Sequence, residues 1–167
     1  MTSAITFWLH ILAVAIFVGP QFFLFLASMP AIKVIEDRET RLRVMRVMTK
    51  RFGYIAMAAM LLILLTGMSN VGSVQSDTGI NILSPEFRYS WIFTAKMVMV
   101  AILVLFTGAH AMFIGPRLLK LQEDAREGVK KLRTASIVIS ALNLLLAVGI
   151  IYTASVLAQH DFSLRPI

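Results

Sequence analysis

An all-α membrane protein, a bundle of four transmembrane helices with both termini on the outside, is the fold class that three features of this sequence predict. First, 58% of the 167 residues are hydrophobic and only 15% are charged. A water-soluble domain carries roughly 25% charged residues, so this chain has too little polar surface to coat a globule of its size. Second, the charges fall into two blocks separated by long apolar runs. Third, four of those runs approach the ~20 residues that a helix needs to cross a hydrocarbon layer. A transmembrane β-barrel would show short alternating segments instead.

The first run covers about 5–27. No Lys or Arg precedes Lys33, and the run is too long for the apolar part of a signal peptide, so it is read as a helix of the mature chain. Pro20, after Gly19, is expected to kink it, which membrane helices tolerate where neighbours re-satisfy the freed carbonyl. A basic segment follows, with Lys33, Arg38, Arg41, Arg43, Arg46, Lys50 and Arg51. Between Arg41 and Met48 apolar residues recur at helical spacing beside the basic ones, so this segment reads as an amphipathic extension of the flanking helices.

The second run covers about 52–71, and the stretch from Ser73 to Pro85, with its Gly, Asn, Ser and Asp, reads as an outer loop. The third covers about 90–113, with Trp91 placed for the aromatic belt at the interface. A second basic loop carries Arg117, Lys120, Arg126, Lys130, Lys131 and Arg133 before the fourth run, about 135–157. The other loop has only Arg88 and the tail only Arg165. Thirteen basic residues against two place the two basic loops in the cytoplasm. The chain is expected to be a single domain over 1–167.

The formal charge of +7 does not point to a nucleic-acid partner, because the basic residues sit in short loops beside apolar segments, the ordinary topology pattern. The absence of cysteine removes disulfides, thiolate metal sites and thiol nucleophiles. The lipid bilayer is the partner the composition demands.

Candidate chemistry rests on the few polar groups inside the spans. Lys96 is the one Lys, Arg, Asp or Glu well inside a run, and the histidines are His10 in the first helix, His110 near the end of the third and His160 past the fourth. Ionisable groups in hydrocarbon are expensive, so each is a functional-site hypothesis. Counting 1.5 Å per residue puts His10 and Lys96 both roughly 8 Å below the outer boundary, able to face each other. Thr66 and Asn70 reach a similar level, with His160 above. Gln21, Thr107, His110 and Asn143 form a second, deeper group on interior stripes. His10 and His110 differ in depth by roughly 20 Å, so they are not two ligands of one metal, whereas His10 with His160 would be compatible if the tail folds back. Blander roles stand beside these. A neutral His can hydrogen-bond across helices, His160 can be a solvated tail residue, and Lys96 can snorkel to the interface. The ten Met residues serve mostly as packing.

At these positions the sequence resembles the CopD-type family of bacterial membrane proteins. The resemblance rests on Trp8-Leu9-His10 leading to Val18-Gly19, and on Arg51-Phe52 through Leu65-Thr66-Gly67. It continues in Ala95-Lys96, in Gly108-Ala109-His110 to Gly115-Pro116-Arg117, and in Leu142-Asn143-Leu144-Leu145-Leu146. The first-helix His and third-helix Lys also resemble the HemJ-type protoporphyrinogen oxidases, although Asn143 is followed by Leu144 where that enzyme's fourth helix has Asn-Glu-x-Pro.

These resemblances imply a protein of the bacterial inner membrane that binds haem b and acts in electron transfer or porphyrin oxidation. His10 would be the iron ligand, with Lys96 as the catalytic residue that pairs with a propionate or carries a proton. Arg88 or Arg165 would stand near the propionates, and His160 is a further cofactor-binding candidate. A membrane redox partner, a larger complex or a homo-oligomer would follow. The alternative is a copper transport or resistance module using His10, His110 and nearby Met residues. A third reading is a non-catalytic subunit or assembly factor whose polar stripes serve helix packing.

Overall fold

The computed structural model describes residues 2–79, 81, 84–123 and 129–165, without the side chains of 2, 3, 78, 122, 123, 160 and 161. Four helical spans long and apolar enough to cross a membrane account for most of them, and no strand occurs among the described residues. The chain is a multi-pass, all-α membrane protein.

The first span is continuous from Ala4 to Lys33. It is built from α1 (Thr2–Phe23), a π-helical turn (Leu24–Ser28) and α2 (Met29–Lys33). The helix runs through Pro20, which can donate no backbone bond. The disturbance is carried one turn onward, where the Met29 N–H bonds back five residues to the Leu24 carbonyl.

Asp37 opens the second span. Its carboxylate accepts the Thr40 N–H at 2.7 Å and caps α3 (Arg38–Thr78). The 41 residues of α3 amount to about 60 Å, twice a typical hydrocarbon thickness. The helix therefore begins 14 residues before the expected Phe52, because the amphipathic basic segment continues it without a breaker. It also outlasts the expected end near 71, and the outer loop starts only at Gly79, whose φ of 66° ends the helix. An L side chain is strained in that left-handed conformation.

The third span joins α4 (Arg88–Ala109), a second π-helical turn (His110–Ile114) and α5 (Gly115–Glu123). It too is longer than the 90–113 expected, since α5 continues into the basic segment. The last span, α6 (Val129–Leu157), starts six residues early for the same reason. A short helix, α7 (His160–Ser163), folds the tail back on α4 and α6. Arg126 of the second basic loop lies outside the described residues.

Packing is inside-out relative to a soluble protein. Large apolar side chains such as Leu26, Leu105, Leu145 and Tyr152 face outward, where lipid would cover them. Consecutive spans pair, α1 on α3 and α4 on α6, and the two hairpins meet through α1 and α6. Their shared core is Phe17, Val18, Ala59, Met60, Leu103 and Ala147, midway along the bundle. A second cluster, Tyr89 and Leu157 with Val71, Val74 and Leu164, closes the end away from the basic loops. Polar groups lie within the bundle instead, among them buried Thr66, Thr107 and Asn143.

Candidate functional site

Two polar sites lie on either side of the apolar core. The first joins α1 to α3. His10 Nδ1 is 2.8 Å from Thr66 Oγ1. Thr66 has a single hydroxyl proton, and it goes back to the Leu62 carbonyl at 2.6 Å. The Thr66 oxygen is therefore left to accept, and the network assigns the ring proton to Nδ1. That tautomer leaves the lone pair of His10 on Nε2, the form in which histidine ligates a metal, its other nitrogen fixed by a hydrogen bond.

Close approach of the two helices here depends on Gly67. A Cβ at that position would sit 3.3 Å from His10 Cε1, so the ring rests on a face from which the side chain has been removed. Lys96 projects from α4 as a half-buried residue within electrostatic reach of the His10 ring. Asn70 is half-buried on the same helix as Thr66.

Arg88 is the first residue of α4. Its guanidinium lies over the Phe162 ring at 5.0 Å, and its backbone N–H donates to the Arg165 carbonyl at 3.3 Å. It ties the tail to the start of α4. His160 begins α7, and its side chain lies outside the described residues.

The second site lies at the basic-loop end. His110 is the first residue of the π-helical turn in the third span, a device often found at functional positions. Its Nε2 is 2.9 Å from Ser136 Oγ and 3.5 Å from Ser140 Oγ, both on α6. One turn further along, Asn143 Nδ2 donates to Thr107 Oγ1 at 2.7 Å. The turn is seated by Gly115, whose N–H closes a bond to the His110 carbonyl. A Cβ at Gly115 would meet that carbonyl oxygen at 3.2 Å and Thr49 Cγ2 at 3.5 Å. Gln21 faces the same space and spends its amide on its own helix, donating to the Phe17 carbonyl at 3.2 Å.

Ser136 and Ser140 are partners that the residue-by-residue reading missed. The signal was present, because 136, 140 and 143 fall at i, i+4 and i+7, a single stripe on α6.

No group of three or more His, Asp, Glu or Cys side chains converges anywhere among the described residues. His10 and His110 are separate positions, on opposite sides of the apolar core. Thioethers occupy the interval. Met60 is buried in the mid-bundle core, and Met99 turns its sulfur toward Gly149 of α6, 3.4 Å from where a Cβ would stand.

A family profile described as Copper resistance protein D (CopD) matches residues 46–157. The matched segment runs from α3 to the end of α6 and contains Thr66, Lys96, Thr107, His110 and Asn143, while His10 precedes it. Of the two family resemblances in the sequence, this comparison returns the CopD one. It favours copper over haem b. No curated protein and no solved structure matches the chain.

Proposed function

The chain belongs to the Copper resistance protein D family, and we propose that it is a membrane module that hands monovalent copper along the bundle. His10 is its contact at the end away from the basic loops and His110 its contact at the basic-loop end. The observation that carries this reading is the His10–Thr66 pair. The 2.8 Å bond fixes one ring nitrogen and leaves the lone pair on the other. Imidazole and thioether are ligand types that copper accepts, thioether favouring Cu(I), and Met60 and Met99 stand between the two rings along the bundle.

Copper is the cargo here, so weak, low-coordinate sites are what passage requires. Lys96 opposes a cation at His10 for as long as it is charged, because like charges repel most strongly out of water. It acts as a gate on the outer position. The basic loops face the cytoplasm of a bacterial inner membrane under this proposal, following the charge bias.

The test is Cu(I) movement in proteoliposomes loaded with a chromophoric Cu(I) chelator and supplied with Cu(I) under reducing conditions. The intact protein should colour the lumen, and His10→Ala and His110→Ala should each abolish the signal while the protein remains folded. Absence of Cu(I) binding, or transport indifferent to both substitutions, would overturn the reading.

A further inference from the structure

A cavity of about 1,610 Å³ opens among the four spans at the basic-loop end. Ordinary ligand pockets hold roughly 300–1,000 Å³, so this space is large for a single ion and its water. Its walls come from all four spans and include the residues just before and within both π-helical turns, Gln21, Leu24 and Phe25 on one side and His110 on the other.

Two properties of the lining point to one chemistry. Among the described residues the charge is of a single sign: Lys33, Arg38, Arg41, Lys130, Lys131 and Arg133 line the cavity, and no acidic side chain does. Topology alone explains basic loops, but it does not explain why Glu36, Asp37 and Glu39 of the same segment are kept out of the lining. Asp37 is turned to the start of α3, and Glu39 lies 3.8 Å from Arg43, another residue outside the cavity. The body of the cavity is apolar, with Phe17, Phe25, Phe52 and Ile139 among its walls.

We infer that this cavity binds an amphipathic anion, its acid group held by the basic mouth and its apolar body along the aromatic walls. The inference stands on the cavity alone and does not depend on copper passage. Such a ligand comes either from the bilayer, as an anionic phospholipid, or from solution, as a free lipophilic carboxylate. Both present an oxyanion to Arg41, Lys130 and Arg133, a phosphodiester in one case and a carboxylate in the other.

Native mass spectrometry of the full chain in a neutral detergent separates these outcomes. The probes are dioleoylphosphatidylglycerol, dioleoylphosphatidylcholine and oleate, added singly. Retention of phosphatidylglycerol or oleate over phosphatidylcholine by about tenfold is expected, and the Arg41→Gln/Lys130→Gln/Arg133→Gln variant should lose that preference. About 1 kcal/mol per basic residue makes tenfold a conservative figure.

Preference for phosphatidylglycerol alone assigns the ligand to the bilayer, and retention of oleate as well assigns it to any lipophilic acid. Equal retention of the charged and zwitterionic lipids, or an unchanged preference in the triple variant, overturns the inference. The three substituted positions lie at the mouth, away from the core, and a melting curve matching the parent's confirms that the fold is intact.

Discussion

His10 and Thr66, 56 residues apart in the chain, meet at 2.8 Å across the α1–α3 contact, with the threonine proton already committed to Leu62. The threonine therefore acts as an acceptor that fixes which nitrogen of the histidine carries the proton. Thr66→Val removes the acceptor at nearly constant volume and strands the ring N–H. Interhelical hydrogen bonds in membranes are worth roughly 1 kcal/mol, so the melting temperature should fall only slightly. Cu(I) affinity should drop much more, by about 10- to 100-fold, as when an outer-shell partner of a ligating histidine is lost. Thr66→Ser should retain both properties. Competition against a chromophoric Cu(I) chelator gives the affinities, and an unchanged value for the valine variant would mean the bond does not orient a ligand.

Gly67 supplies a second, steric control on the same ring. A methyl group there would sit 3.3 Å from His10 Cε1, closer than most carbon contacts, so the imidazole must shift. Gly67→Ala is expected to weaken Cu(I) binding at His10 while leaving the helix intact. Gly108→Ala is the matched comparison, since nothing lies within 4 Å of the added carbon. That change should leave binding untouched and strengthen the helix by about 0.5–1 kcal/mol. Equal affinities for the two alanine variants would separate His10 from the metal.

The four spans were legible because a hydrocarbon-spanning helix needs a long apolar run, and composition alone displays it. Their ends were not. Phe52 is where the apolar run begins, but Arg38 is where the helix begins, because an amphipathic segment capped by Asp37 carries no mark that tells a surface helix from a loop. Depth counting also brought His10, Thr66 and Lys96 to one level, and Thr107 with Asn143 to another. The π-helical turns at Leu24 and His110 were beyond such counting, since one inserted residue leaves the composition unchanged. The cavity was equally hidden, because its walls come from all four spans, a relation that no single segment carries.

Asp37 gives the start of α3 a dependence on pH. Its hydrogen bonds from Thr40, side chain first and then backbone, hold the carboxyl below its ordinary range, which lies near about 3.9 in an unfolded chain. A group depressed in the folded state adds stability that is complete above the unfolded value and fades as pH falls through the folded one. The first turn of α3 should therefore loosen in the acid range below about pH 4 and stay constant above it. The amide shift of Thr40, followed by NMR from pH 6 downward, should move with a midpoint below that of a free aspartate. In Asp37→Asn the cap acceptor survives without the charge, and the transition should disappear. A Thr40 titration that persists in the asparagine variant would assign the effect to another group.

Gly115 connects the π-helical turn to the neighbouring span, and its substitution tests whether that turn is required. A Cβ would meet the His110 carbonyl oxygen at 3.2 Å and Thr49 Cγ2 at 3.5 Å. The first obstacle is backbone and cannot swing aside as a side chain could. Gly115→Ala should therefore overpack the junction of α3 and α5, at about 1–3 kcal/mol, enough to lower the melting temperature visibly. Displacing the His110 carbonyl also moves the start of the turn, and with it the 2.9 Å contact of His110 with Ser136. The double change Gly115→Ala/Thr49→Ser relieves only the side-chain half of the clash. It should recover little of the lost stability if the backbone contact dominates. Full recovery by Thr49→Ser would place the constraint on the α3 side and leave the π-helical turn free to adjust.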